Sequence, residues 1–510
     1  MSLLAEFHSV AIQHADAPAV LEDERAVSYA ELAQCIERMA CGLQRAGVRQ
    51  GERIAIHLGN CVELVTLYYA CLRIGAVIVP LHRRLVAGEI DYLLGHSGAR
   101  YYVGDRQAHA RYAAVVDASA MLEQAWVVGN DVRAGKFLPW SDLLAAAATP
   151  TPLPDAQPHW LAAILYTSGT TGTPKGVVHS QATLASAVGL MQTTMPPRGA
   201  AGAAGRGAVH SMLDAIVPWS ILMILAAHRL ERAVALLPTL SADTTLALLH
   251  RRPLSFLKGT PSHFKQVLAS ARQAGGAHHD ALIDTFCVAG GDLCPPELGA
   301  AWRAHWGVAL RSTYGMTESG GPIFCQPNVD ATAQPSIGWP LPGVDAQQAD
   351  SGELLVRSPA NTLGLWNAQA PDRLPADRWL SSGDLVQPQD DGNYLIVGRE
   401  KDQLKSDGYP ISPLEVEQAL LKLPAIAEAV VFGIPDAATG ERAVAMLRTA
   451  SGQDIPEHVL KAHLTDLIAE YKHPRQYLFV ARIPVNAAGK LSRKQLARDY
   501  RQAQGAGTAP

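Results

Sequence analysis

The sequence predicts an α/β fold, with parallel-rich sheets covered by helices in a large N-terminal part and a small α+β domain at the C-terminus. Three observations carry this. Short apolar runs alternate with segments of helical periodicity through the first part of the chain. The texture changes after Arg399, where a charged stretch opens a run of about a hundred residues with its own helix and strand patterns. The length of 510 residues exceeds what one hydrophobic core supports and implies about two to four domains.

In chain order, "RIAIHLG" is an apolar strand pattern, "NCVELVTLYYACLRIG" has helical spacing, and "AVIVPLH" returns to strand, which together make a βαβ unit. "ARYYVGD" and "AWVVGND" extend the series, and "LAAIL" is a strand that delivers the loop "YTSGTTGTPKG". The Gly/Ala-rich "MPPRGAAGAAGRGA" is expected to be a mobile surface loop. "GELLVRSP" and "GNYLIVGR" are strands near the end of the larger part. Beyond them come the helix "PLEVEQALLKLP", the strand "EAVVFGIPD", the helix "VLKAHLTDLIAEYK" and a tail, "QAQGAGTAP", expected to be disordered. No internal repeat is visible.

Composition narrows the function classes. The chain is 48% hydrophobic and 18% charged with net charge −4, and no basic block points to nucleic acid. Seven cysteines without a CxxC pair are expected to be buried thiols in a reducing compartment. The N-terminus lacks a basic segment followed by an apolar core, and "AIVPWSILMILAA" is too short for a span and contains Pro218. A cytoplasmic location is expected.

The loop from Leu165 to Gly176 carries the chemistry. A Walker A loop has lysine directly after glycine and a hydroxyl after the lysine, whereas Thr173 and Pro174 separate Gly172 from Lys175 here. The physics is still that of an anion cradle: glycines allow close backbone approach, N–H groups can form a nest, and hydroxyls add donors. A plain polar surface turn has the same composition.

The string "YTSGTTGTPKGVVHS" closely resembles the phosphate-binding signature of the adenylate-forming superfamily of acyl-CoA synthetases, peptide-synthetase adenylation domains and firefly-type luciferases. "STYGMTE", "SSGDL", "GREKDQLKSDGYPISPLEVE" and "PVNAAGKLSRKQL" resemble its later motifs in the same order. The resemblance implies activation of a carboxylic acid by ATP to acyl-AMP with release of pyrophosphate, followed by transfer to a thiol. It implies that Thr167, Ser168, Gly169, Thr170, Thr171 and Gly172 hold the β- and γ-phosphates with Lys175, and that Thr317 bonds the α-phosphate. Glu318 is implied as the ligand of Mg²⁺, a hard cation that takes oxygen ligands. Tyr314 would stack on adenine, with Gly290, Gly291 and Asp292 along its edge, while Asp384 and Arg399 would bond the ribose. Lys490 would reach the α-phosphate in the first step, and Lys405 and Gly408 would meet the thiol in the second. The domains implied are 1–398 and a mobile lid of 399–510, with the hinge near Lys401. Cofactors and partners implied are ATP, Mg²⁺, and CoA or the phosphopantetheine of a carrier protein.

Some positions keep two readings. A lone Thr-Glu pair also suits a helix start, where threonine caps and glutamate meets the dipole. The aromatic that gates the acyl pocket in many members has no matching string; His210 and Trp219 are candidates. "MLDAIVPW" weakly resembles the segment by which amino-acid-activating members hold the substrate amine, which would make Asp214 that residue. "LKGTPSHF", with Gly259 and His263, is expected to form pocket wall. Loading of a carrier protein, a non-catalytic relative and a luciferase-like oxygenase are the competing functions. The joint presence of Lys175, Glu318, Asp384, Arg399 and Lys490 argues against the non-catalytic one.

Overall fold

The computed structural model describes the chain except residues 1, 130, 147–152, 154, 168–173, 198–206, 275–281, 283, 332–335, 368–370, 374, 376, 407–408, 437–439, 466, 486–490 and 507–510. The chain divides into two compact units, Met1–Ala346 with Val356–Leu380, and Gln347–Leu355 with Ser381–Pro510. The expected loop "MPPRGAAGAAGRGA" lies mostly outside the described residues; its last residue, Ala208, opens a strand.

The first unit holds two sheets. One is built on parallel pairing of Arg53–His57 with Val77–Pro80 and Tyr101–Asp105, extended by Gln124–Val128 and Phe137–Pro139. On its other side Val77–Pro80 pairs in parallel with Leu161–Thr167, which forms an antiparallel hairpin with Lys175–Ser180. The other sheet has a parallel centre of Ala208–Ser211, Leu254–Gly259, Phe286–Gly290 and Leu310–Met316, followed by the antiparallel strands Gly321–Gln326 and Ser336–Pro340.

Local chemistry sets the helix ends. Tyr29–Arg45 starts at a capping box in which Ser28 and Glu31 satisfy each other's backbone N–H groups, at 3.2 and 2.8 Å. Val62–Ile74 ends at Gly75, whose φ of 71° is the left-handed conformation that glycine adopts without steric cost. Only Glu63 and Arg73 of its thirteen residues escape burial, so this helix is apolar all round rather than on one stripe. Under the second sheet, Leu257, Phe264, Cys287, Trp302 and Trp306 form the centre of one core; Val79, Tyr102, Phe137, Ile164, Val178 and Trp366 form the other. All seven cysteines are free, and among the described residues no helix is long and apolar enough to cross a membrane.

In the second unit Leu380–Pro388 pairs antiparallel with Tyr394–Arg399. A separate sheet pairs the long strands Ile426–Asp436 and Gly440–Thr449, with Gln476–Phe479 added in parallel. Two expectations need correction. The helix read from "VLKAHLTDLIAEYK" is Glu457–Thr465 followed by a separate 3₁₀ turn, Glu470–Lys472. The tail is not disordered from Gln502: the helix Arg493–Ala506 runs through it, because Leu496 and Tyr500 anchor its preceding turns against Phe432 and Gln476.

That last helix also begins a buried ionic network. Arg493 donates to both oxygens of Glu417 at 2.8 Å, to Asp402 at 3.1 Å and to the Val431 carbonyl at 3.0 Å. Burial pushes the Glu417 carboxyl up, and the guanidinium opposes that shift. Removing one partner of such a pair strands a buried charge, whereas replacing both by apolar groups does not. Arg493→Met is therefore expected to destabilise the second unit by about 3–5 kcal/mol, and Glu417→Leu/Arg493→Met to recover most of it. Denaturant-dependent hydrogen exchange in the strands Ile426–Asp436 and Gly440–Thr449 reads this out. A single-variant loss under about 1 kcal/mol would show the network to be solvated.

Candidate active site

The loop that raised the phosphate reading is the turn of a β-hairpin. Thr167 and Lys175 face each other in register at its base, Thr167 half-buried and Lys175 exposed. Ser168, Gly169, Thr170, Thr171 and Gly172 lie outside the described residues. Gly176, next to the loop, has no room for a side chain, since a Cβ there would stand 2.7 Å from Ile164 and 3.1 Å from Trp366.

Thr317 and Glu318 sit in a tight turn between the antiparallel strands Leu310–Met316 and Gly321–Gln326, not at a helix start. Gly320 (φ 75°) and Ser319 close the turn, the serine hydroxyl bonding the Met316 and Gly321 carbonyls at 2.9 and 3.0 Å. Two bonds tie this turn to the hairpin. His179 Nε2 donates to the Thr317 carbonyl at 2.9 Å, and the Thr362 N–H donates to the Glu318 carbonyl at 2.7 Å while its hydroxyl reaches Val178 at 2.7 Å. A carbonyl only accepts, so His179 carries its proton on Nε2. Burial holds its pKa down to about 4, which keeps the ring neutral across the physiological range. The Glu318 backbone is thus fixed, and its half-buried carboxylate makes no ion pair among the described residues. An unpaired hard oxygen donor held in place suits a divalent cation.

Beside the turn, Leu165, His179, Trp219, Leu222, Thr317 and Gly320 line a small cavity of about 10 Å³, room for roughly one water. Tyr314, half-buried, stands edge-on to Phe324 with centroids 6.0 Å apart. Gly290 ends its strand, Gly291 follows at φ 83°, and the exposed Asp292 accepts the Leu293 N–H at 2.8 Å. A side chain at Gly290 would meet Thr313 Oγ1 at 2.8 Å and the Trp219 ring at 3.0 Å.

The pocket-wall candidates separate. Asp214 is already engaged: its carboxylate lies 3.5 Å from His82 Nε2, and its segment is pinned where Asn60 accepts the Ala215 N–H at 2.6 Å. Burial lowers the His82 pKa, with Asp214 opposing. His210 is buried within the sheet, bonded through Nδ1 to the Ala235 carbonyl at 2.9 Å. His263 caps its own helix through Thr260, at 3.0 Å. Gly259 gives way to Met212, whose methyl would lie 2.4 Å from a Cβ. Of the aromatic candidates, Trp219 lines the cavity.

Sequence reasoning passed over His179, Thr362 and Lys258. Lys258 interrupts the apolar strand Leu254–Gly259 and is fully buried. Its ammonium lies 4.4 Å from the Trp219 ring centroid and 3.4 Å from Thr313 Oγ1. A lysine inside "LSFLKG" was the available signal.

In the second unit, Asp384 is buried and accepts from Arg399 Nε at 2.6 Å across paired strands. Ser382 receives the Asp384 N–H at 3.0 Å, and Gly383 (φ 73°) donates to Glu353 at 2.8 Å, so the backbone that carries the carboxylate is fixed within the strand Leu380–Pro388. Lys401 is exposed in the 3₁₀ turn Glu400–Asp402. Lys405 lies in the strand Leu404–Ser406 with its side chain outside the described residues, as are Gly408 and Lys490 entirely.

Burial alone pushes the Lys258 pKa down to about 7. The unfolded chain keeps this proton up to about pH 10.4, so between the two values the unfolded state binds more protons and stability rises with pH. The burden is complete below pH 7 and fades above it. Lys258→Met should therefore raise the melting temperature, by the equivalent of several kcal/mol at about 1.4 kcal/mol per pKa unit, with the gain largest at pH 6 and shrinking towards pH 10. Melting curves of the two proteins across that range check it; a pH-independent difference would contradict it.

The chain resembles known proteins over nearly its whole length. The family model described as AMP-binding enzyme matches residues 7–366, and that of the AMP-binding enzyme C-terminal domain matches 415–490. Feruloyl-CoA synthase of Amycolatopsis sp is 28% identical over 95% of this chain and 96% of its own. A Mycobacterium tuberculosis propanoyl:CoA ligase, named for a methyl-dioxo-octahydroindenyl acyl group, is 30% identical over 94% and 95%. The crystal structure of coronafacic acid ligase from Pectobacterium brasiliense is 36% identical, covers 99% of this chain and 98% of that one, and superposes with a TM-score of 0.80. With both family models matched in order and the phosphate hairpin locked to the Thr-Glu turn, the chain belongs to the AMP-binding enzyme family.

Proposed function

We propose that this chain is an AMP-forming acid–thiol ligase that joins a ring-bearing organic acid without an amine to CoA. The observation that carries the reading is the lock between the phosphate hairpin and the Thr317–Glu318 turn through His179 and Thr362, beside a cavity lined by Leu165 and Thr317. A carboxylate is a poor electrophile, because its charge repels nucleophiles and oxide leaves badly. A site that gathers phosphate donors, a cation ligand and an acid pocket at one point meets the need to convert it to a mixed anhydride.

In the first step a carboxylate oxygen attacks the α-phosphorus of ATP, the bond to the bridging oxygen breaks, and pyrophosphate leaves. The hydroxyls, backbone N–H groups and Lys175 of the hairpin loop hold the departing phosphates, and Thr317 bonds the α-phosphate. Glu318 would hold Mg²⁺, which would supply charge neutralisation on the phosphate oxygens. Tyr314, Gly290, Gly291 and Asp292 receive adenine, and Asp384 and Arg399 the ribose. In the second step the CoA sulfur, having given up its proton, attacks the acyl carbon and AMP leaves. The relatives named for feruloyl and dioxo-octahydroindenyl-propanoyl groups act on ring-bearing acids, which supports that class here. The contact of Asp214 with His82 supports an acid lacking an amine, since an ammonium group would have to displace the imidazole.

Two half-reactions at one site call for two arrangements, and we assign the pivot to Lys401. Lys490→Ala is expected to lower acyl-AMP formation by at least about a hundredfold, as for loss of a donor aimed at transition-state charge, and to leave thioester formation from supplied acyl-AMP largely intact. Pyrophosphate–ATP exchange across a panel of carboxylic acids, with CoA absent, measures the first half; equal loss in both halves would contradict the role.

Lys401→Pro is expected to behave in the opposite sense. The Gln403 N–H already bonds the Arg399 carbonyl across this 3₁₀ turn at 3.2 Å, and φ near −65° is compatible with such a turn, so the protein should stay folded. With φ locked, exchange should persist while transfer from isolated acyl-AMP to CoA fails. Parallel loss of both rates, or of neither, would count against a pivot there.

A further inference from the structure

Lys258 is a costly residue for its surroundings. It stands in a strand whose other residues are all buried, with no exposed surface of its own. The titratable group that acts on it is the Cys325 thiol, itself held neutral by burial, with no carboxylate among the described groups that perturb it. Burial of an ammonium without a counterion is unfavourable by several kcal/mol, and a leucine or methionine would complete the sheet without that cost. Groups retained against stability in this way concentrate at functional positions.

Its direction adds to this. Lys258 is in register with Ser211 on one side and Val288 on the other, and Val288 with Arg311 on the next strand. The ammonium nevertheless reaches Thr313, two residues further along, so the side chain runs towards the C-terminal ends of the parallel strands, where open α/β sheets bind ligands. There it lies under the Trp219 ring, and Trp219 lines the cavity beside Thr317. The cavity's volume of about 10 Å³ admits no organic acid, so an acyl group that enters there has to displace wall side chains, of which the Trp219 ring is the largest. Movement of the indole withdraws the cation–π partner and leaves the ammonium facing the incoming group with donors to spare.

We propose that Lys258 is the specificity residue of the acyl pocket, and that the acid it selects bears a ketone or carboxylate oxygen remote from the carboxylate that is activated. The inference rests on the ligase reading above and names the substrate class within it. Its depressed pKa is consistent with either acceptor, a ketone bonding the amine or ammonium and a carboxylate drawing the proton back.

The test compares cyclohexanecarboxylate, 4-oxocyclohexanecarboxylate and cyclohexane-1,4-dicarboxylate, with the homologous ring-propanoates, by pyrophosphate–ATP exchange. In the wild type, kcat/KM for the ketone or the second carboxylate should exceed that of the plain ring by about 10- to 100-fold, the range for a hydrogen bond to a charged group. Lys258→Met should bring the ratio to about one, chiefly through KM. Lys258→Gln should keep part of a ketone preference and lose a carboxylate preference, which distinguishes the two acceptors. An ATP-induced rise in melting temperature reports that each variant is folded, and the wild-type ratio stands without any variant. A wild-type ratio near one, or a ratio that survives Lys258→Met, overturns the assignment while leaving the ligase reading in place. No exchange with any acid of a broad panel overturns both.

Discussion

The hydrogen bond from His179 Nε2 to the Thr317 carbonyl joins the two sheets of the first unit at the point where their chemistry converges. One sheet carries the hairpin of Leu161–Thr167 and Lys175–Ser180, the other the Thr-Glu turn. A neutral, buried imidazole with one fixed tautomer makes the distance between them a property of the fold. Thr362 repeats the connection from a third segment, so the lock does not depend on a single side chain. Positioning of this kind is what phosphoryl chemistry asks of a protein, since the reaction needs charges held in line more than it needs covalent help.

The second unit follows a different principle. Its buried carboxylate, Asp384, has its backbone N–H bonded to Ser382 and is paired with Arg399 across the ladder. Further on, Arg493 connects Asp402, next to Lys401, to Glu417 and to a central strand, in surroundings where the ion pair is only partly hydrated. The first residues after Lys401 are thereby attached to the core of this unit rather than left as free linker.

The small cavity beside the Thr-Glu turn shows the opposite economy. Behind its indole wall lies a buried lysine without a counter-ion among the described residues, an arrangement that lowers stability where a substrate group can relieve it. The contrast with His210 is instructive, since both are buried polar residues of neighbouring strands. His210 has its ring bonded into the sheet through Ala235, whereas Lys258 reaches out along the sheet to the cavity's indole wall.

The local pattern was legible where chemistry is contiguous in the chain. The strand–helix alternation before Asp131, the strand that leads into the loop after Thr167 and the order of the motifs could all be read because neighbours in sequence create them. Reading failed where periodicity was mistaken for continuity: the helix drawn through Lys472 stops at Thr465, and the first residues of the tail, to Ala506, continue a helix anchored by Leu496 and Tyr500. Only the tertiary structure decided that a Thr-Glu pair turns a hairpin instead of starting a helix, that Asp214 meets His82, and that Lys258 lies under Trp219. The reason is physical. The contacts of Asp214 and Lys258 depend on partners 132 and 39 residues away and on burial that no short window measures, whereas cap and loop chemistry is set within a few bonds of the backbone it serves.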